Sequence, residues 1–188
     1  MKDNKGFSLV EVMIAITIIG ILVGASVLSI NMVSRANVDK GMRLVTDGMS
    51  KLQTECLSKS KPTYMYIYQD SSDNDFYMKY SKTLHTTVSD IMGDSQEAER
   101  IETYKVKMWY ITSKSENGIG AGNHNIGGSD FIAISYNKSD SSVVAYANGS
   151  TELSSLIRIE AISGDKDAFV NISFETGKVN FSDDRRSR

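Results

Sequence analysis

The feature that most constrains this chain is an apolar run over residues 12–33, which holds no Asp, Glu, Lys or Arg and begins directly after a carboxylate, Glu11. As a helix, such a run is long enough to cross the roughly 30 Å hydrocarbon core of a bilayer, which takes about 20 apolar residues. It predicts a membrane segment. The order of the parts departs from a secretory signal, in which a cleavage site of small residues follows the apolar stretch. Here a short polar leader, Met1-Lys2-Asp3-Asn4-Lys5-Gly6, ends in glycine before the run begins. A lone carboxylate in a bilayer or an apolar bundle costs about 2.5 kcal/mol or more at the helix centre, so Glu11 needs a partner or marks a function. The plain alternative is an interfacial Glu solvated by headgroups.

The helix is expected to continue beyond the run. Val38, Met42, Val45, Met49, Leu52 and Cys56 recur at spacings of four and three, an apolar stripe on one face, while Asp39, Lys40, Arg43, Asp47, Lys51 and Gln53 fill the others. Pro62 ends it, because the residue before proline is pushed out of helical geometry. A helix from Phe7 to about Lys59 would be ~80 Å long at 1.5 Å per residue. Gly20 and Gly24, a small-xxx-small pair, offer a face for close helix packing.

After Pro62 the period changes to two. Residues 64–68 and 76–80 read as short aromatic strands joined by a polar turn over 69–75, and 88–101 as one or two helical turns. Strands follow at 104–110, 131–136, 142–147 (ended by Asn148-Gly149) and 157–161. The closing hairpin is 170–174 and 179–181 around Gly177. The reading is an α+β chain: a long N-terminal α-helix, transmembrane in its first half and amphipathic in its second, packed on a mainly antiparallel β-sheet head.

The stretch Gly6-Phe7-Ser8-Leu9-Val10-Glu11, followed by its apolar run, resembles the processing site of the type IV pilin and type II pseudopilin family. The resemblance implies a pilin fold and cleavage by a prepilin peptidase between Gly6 and Phe7, with N-methylation of Phe7. The apolar segment then serves as membrane anchor and later as filament core. Phe7, Glu11, Gly20 and Gly24 become the assembly residues, with the freed amine of Phe7 meeting the Glu11 of a neighbour to set register. The corresponding segments are a leader at 1–6, a membrane and filament-core helix at 7–34, an amphipathic half at 35–60 and a β-rich head at 61–188. Residues 169–179 are similar to the end of H-type minor pseudopilins and lean the reading toward a minor subunit. Two departures stand out. Many family members close a C-terminal loop with a disulfide, which a chain with Cys56 as its single cysteine cannot form, and many carry proline where Leu28 stands.

No constellation for catalysis emerges. The glycine-rich stretch 118–128 lacks the Gly-Lys-Ser/Thr ending of a phosphate loop and reads as a flexible surface loop for a partner. Asp70, Asp73 and Asp75 lack the glycine and closing glutamate of a calcium loop. His85 and His124 stand far from each other and from Cys56, so no zinc spacing or nucleophile–base pair can be drawn. Net charge is -2 and the pI near 5.7, which gives no global field for nucleic acid; the tail Arg185-Arg186-Ser187-Arg188 follows Asp183-Asp184 and reads as solvated.

The functional expectation is therefore a structural pilin subunit, not an enzyme, with no cofactor and no metal. Its partners are other pilin subunits, the prepilin peptidase, the membrane and the assembly platform, with a surface ligand for the head and no nucleic acid. It would sit in the cell membrane before assembly and on the cell surface afterwards. The alternatives are a single-pass membrane-anchored binding protein, a pseudopilin for DNA uptake or type II secretion, and a secreted protein cut after Val23-Gly24-Ala25.

Overall fold

The computed structural model describes residues 8–59, 61–101, 106–115, 119, 121–153, 155–164 and 166–185, and the side chains of all of these but 25–32, 34, 35, 184 and 185. The chain divides into two compact units, Met1–Val33 and Ser34–Arg188. One helix, α1 (Leu9–Ser58, 50 residues), contributes its first part to one unit and the rest to the other. The fold is α+β, with antiparallel sheets following an N-terminal helix.

In the second unit the predicted stripe is the seam. Val38, Met42, Val45, Met49 and Leu52 are fully buried and Cys56 nearly so, in one core with the inward side chains of the strands. Burying a side chain of this size contributes about 1.5–3 kcal/mol, so six positions on one helix face hold the helix to the sheets.

The strands form two sheets where the sequence reading expected one. β1 (Tyr64–Gln69) and β2 (Phe76–Ser81) make the expected aromatic hairpin, with β2 paired on its far side to β3 (Ala98–Ile101). β1 also pairs with β6 (Ile132–Tyr136), which leads to β7 (Val143–Ala147) and β8 (Thr151–Leu153), giving the order β3-β2-β1-β6-β7-β8. The second sheet takes β4 (Lys107–Thr112), β5 (Gly122–Ile126), β9 (Leu156–Ser163), β10 (Lys166–Ser173) and β11 (Lys178–Arg185) in the order β11-β10-β9-β4-β5. Every pairing of these named strands is antiparallel.

Two local expectations need correction. Of residues 88–101, the first part forms the expected short helix, α2 (Val88–Gly93, N-capped by Thr87), but the last part is β3, where pairing to β2 overrides a sequence that buries only Ile101. The glycine-rich stretch is not wholly a loop: β5 occupies 122–126, and Gly127 and Asp130 close a tight turn on each other. Gly118, Gly120 and Tyr104 lie outside the described residues.

The outer face of the first sheet carries a second, smaller cluster of Tyr66, Tyr68, Ile91, Phe131 and Ala133. Ile91 from α2 covers it, so residues 82–97 form a flap over the aromatic face.

Candidate functional site

Gly6 and Phe7, the predicted cleavage pair, lie outside the described residues, which begin at Ser8. Ser8 starts α1. Its hydroxyl accepts from the Glu11 amide at 3.2 Å, and the Glu11 carboxylate accepts from the Ser8 amide at 3.0 Å. This is a capping box: each side chain accepts from the other residue's amide, so two amides with no intrahelical partner are satisfied across the first turn. Glu11 therefore has a local partner that the sequence reading missed, although the signal, Ser-x-x-Glu before an apolar run, was in plain view. A carboxylate in the first turn also complements the positive end of the helix dipole.

Over its first turns, Leu9 to Val23, the helix exposes apolar side chains on every face. Leu9, Val10, Met13, Ile16, Ile19, Ile21, Leu22 and Val23 are all more than half exposed, with Leu9 at 76%. Monomeric soluble surfaces rarely leave so continuous an apolar area uncovered, and such areas mark membrane or protein contacts. A Cβ built on Gly20 or Gly24 meets nothing within 4 Å, so in the isolated chain these glycines are not required by any neighbour. Among the described residues no helix is long and apolar enough to cross a membrane. The run read as a membrane segment extends over 25–32, whose side chains, Leu28 included, lie outside the described ones.

The remaining sequence candidates are used internally. Asp70 and Asp73 accept from the amides of Ser72 and Asp75, Asp73 also accepts from the Tyr77 hydroxyl at 2.6 Å, and Asp75 pairs with Arg100. These are turn-forming carboxylates, and among the described residues no group of three or more His, Cys, Asp or Glu is placed to hold a metal. Cys56 is a buried free thiol that donates to the carbonyl of Thr63 at 3.3 Å. Arg186 and Arg188 of the basic tail lie outside the described residues, and β11 ends at Arg185.

His85 is not isolated. Its Nε2 lies 3.1 Å from the Asp94 carboxylate and 3.2 Å from the Ser81 hydroxyl, and Ser81 itself donates to Asp94 at 2.5 Å. The Ser81 hydrogen bond first, and the His85 bond after it, hold the Asp94 pKa down at about 2. A nucleophile–base–orienter relay needs the imidazole between its partners, one on each ring nitrogen. Here serine and carboxylate share one nitrogen and bond each other directly, so the trio is a clasp that closes the flap. The Tyr66 hydroxyl extends it, accepting from the His85 amide at 2.8 Å and donating to the carbonyl of Thr83 at 2.7 Å.

A second clasp ties α1 to the second sheet. Lys166 is 3.2 Å from Asp39 on α1 and also pairs with Asp183 on β11. Burial alone would depress the Lys166 ammonium, but its bonds to the two carboxylates outweigh this, and its pKa rises above the ordinary lysine value. Arg43, one turn on, stacks over Phe181 with its guanidinium carbon 4.3 Å from the ring centre.

Residues 1–27 match the family model described as the prokaryotic N-terminal methylation motif, the signature of type IV pilins and pseudopilins. No curated protein and no solved structure matches the chain.

Proposed function

We propose that the chain is a precursor cut between Gly6 and Phe7, N-methylated on Phe7 and built into a type IV pilus or related pseudopilus as a structural subunit, without catalysis of its own. The methylation motif over residues 1–27 carries this reading. The uncovered apolar surface of α1 supports it, because a helix start capped by Ser8 and Glu11 and exposed on every face needs lipid before assembly and neighbouring helices after it. The second half of α1, packed by its stripe onto antiparallel sheets, fits a pilin head. On this reading residues 7–34 form the membrane and filament-core helix, and Gly20 and Gly24 lie where helices approach. The similarity of residues 169–179 to H-type subunits, here the hairpin of β10 and β11, favours a minor subunit. The protein would pass from the cell membrane to the surface with other pilins, the peptidase and the assembly platform as partners.

Mass spectrometry of the mature N-terminus from the native membrane or sheared-surface fraction tests this. N-methylated Phe7 is the expected result. A retained Met1 would mean a membrane-anchored receptor, and a start at Ser26 a secreted domain; either overturns the proposal.

A further inference from the structure

At one end of the first sheet, where α1 finishes, lysines gather around a tyrosine wall. The registers Tyr66–Ala133 and Ala133–Tyr146 put Tyr146 on the same outer face as Tyr66, and the period of two along each strand adds Tyr64 and Val144 to it. Tyr64 and Tyr146 meet edge to face there, with ring centroids 6.2 Å apart. With Val144 they wall a cleft of about 310 Å³, and Lys59, Lys61 and Lys138 are among its other lining residues. That size is at the small end of the roughly 300–1,000 Å³ of ligand sites, which set a few polar groups against an aromatic wall.

The lysines come from two segments that the fold ties together. Lys138, in the turn from β6 to β7, donates from its ammonium to the carbonyl of Lys59 at 3.3 Å. An ammonium has three N–H donors, so two remain for a ligand. Lys59 pairs with Glu55 at 3.0 Å, which offsets one of the three charges. Among the described residues Lys61 and Lys138 take part in no ion pair. The last carbonyls of a helix carry the negative end of its dipole, and Lys138 answers them in a purely structural duty. That duty does not account for Lys61, which lies past the helix end at Ser58 with its side chain exposed, or for the tyrosine pair beside it. The lining therefore concentrates positive charge in a chain whose net charge is -2, and a cleft focuses such a field on an incoming anion.

We propose that this cleft binds a phosphate monoester carried on a small carbon skeleton. Such an ester holds about -1.5 to -2 charges and three acceptor oxygens near neutral pH, enough for several ammonium groups at once, where a carboxylate brings one charge and two oxygens. The carbon skeleton rests on the rings of Tyr64 and Tyr146. All of these residues lie in the second unit, so the inference does not depend on processing or filament assembly.

Saturation-transfer NMR tests it, using the full chain in an uncharged, phosphate-free maltoside detergent, with phenyl phosphate as the observed probe at millimolar concentration. Saturation should reach its ring protons, and inorganic phosphate should compete it away. Phenyl sulfate and benzoate, each with a single charge, should bind several-fold more weakly. The double variant Lys61→Gln, Lys138→Gln changes only exposed side chains and should weaken phenyl phosphate about tenfold, while Lys61→Arg, which keeps the charge, should bind as the wild type does. Tyr146→Ala, with its fold checked by circular dichroism, should weaken phenyl phosphate and leave inorganic phosphate unchanged. No transfer to phenyl phosphate, equal binding of phenyl sulfate and benzoate, a double variant that binds at the wild-type level, or a tyrosine variant that weakens both phosphates alike overturns the proposal. Competition by glycerol 3-phosphate and by dibutyryl phosphatidate, whose chains are too short for micelles, distinguishes a soluble ester from a lipid headgroup; displacement by either supports the site, and displacement by neither overturns it. Failure here leaves the assembly reading standing, and an unprocessed N-terminus leaves this one standing.

Discussion

Gly48→Ala tests the seam between α1 and the first sheet, because two opposing effects have known sizes there. Alanine in a helix interior is favoured over glycine by about 1 kcal/mol, so on propensity alone the substitution stabilises. A Cβ at this position would sit 2.5 Å from Met78 Sδ, 2.8 Å from Met78 Cε and 2.9 Å from the Tyr80 hydroxyl. Met78 is a flexible side chain, yet it is 1% exposed inside a packed core, and Tyr80 is anchored by donating to the Gly48 carbonyl at 3.2 Å. Both must move. Overpacking of this kind costs about 1–3 kcal/mol, and the strained hydrogen bond adds about 0.5–1.5 kcal/mol. The net expectation is a loss of about 1–3 kcal/mol, which for a unit of this size lowers Tm by roughly 3–10 °C. Thermal unfolding by circular dichroism, on the chain from Ser34 onward, measures it. Met78→Ala opens the space, so the double variant should be less destabilised than the sum of the two, with a coupling of about 0.5–3 kcal/mol. A Tm that is unchanged or higher in Gly48→Ala, or strict additivity in the cycle, would refute the packing of β2 against this turn of α1.

Two further outcomes follow from the same structure. Met49→Asp places a carboxylate at a fully buried stripe position in an apolar core and should cost about 3 kcal/mol or more; an unchanged melting curve would rule out the seam as drawn. The flap should respond to acid: Asp94 titrates at about 2 in the fold against about 3.9 unfolded, so its contribution is complete above pH 4 and is lost as pH falls from about 4 to about 2. Amide protection factors over residues 82–97, in which the fall of the intrinsic exchange rate with pH is divided out, should drop across that window, and Asp94→Asn should show the lower protection already at pH 5; protection that is flat from pH 5 to 2 speaks against the clasp.

The α1 stripe was legible because it needs only one periodicity, and burial at Val38, Met42, Val45, Met49, Leu52 and Cys56 follows the pattern residue by residue. The aromatic hairpin and the closing hairpin were legible because their partners are adjacent in sequence. What was not legible depends on distant pairing. β1 meets β6 and β4 meets β9, and those two pairings, between strands far apart in the chain, are what sort one run of strands into two sheets. The missed strands are all edges. β3 buries only Ile101, β5 reads Gly-Asn-His-Asn-Ile, and β8 has three residues, so none carries the alternation of a half-buried strand. His85 and Asp94 are joined through the flap, whose path no local pattern sets.

Glu11 now has two roles to be separated, and the capping box supplies the means. Ser8 and Glu11 both lie on the C-terminal side of the predicted cut, so processing between Gly6 and Phe7 leaves the cap intact while adding a positive amine one residue before it. A positive charge at a helix N-terminus opposes the dipole, and a carboxylate in the first turn offsets it. The carboxylate uses Oε2 on its own Ser8 amide, while a carboxylate has about four acceptor sites in all, so Glu11 can hold its cap and still meet a neighbour's amine. Glu11→Ala removes both functions and costs the helix start about 0.5–2 kcal/mol, so poor entry of this variant into filaments does not say which was lost. Glu11→Gln keeps the capping box, which accepts Gln in that position, and removes only the charge. If charge pairing sets the register, both variants should be cut and methylated normally and both should be depleted in sheared filaments. Filaments that take up Glu11→Gln at the wild-type level while excluding Glu11→Ala would assign Glu11 to the cap alone, and alignment of subunits would then have to come from the apolar surface that follows it.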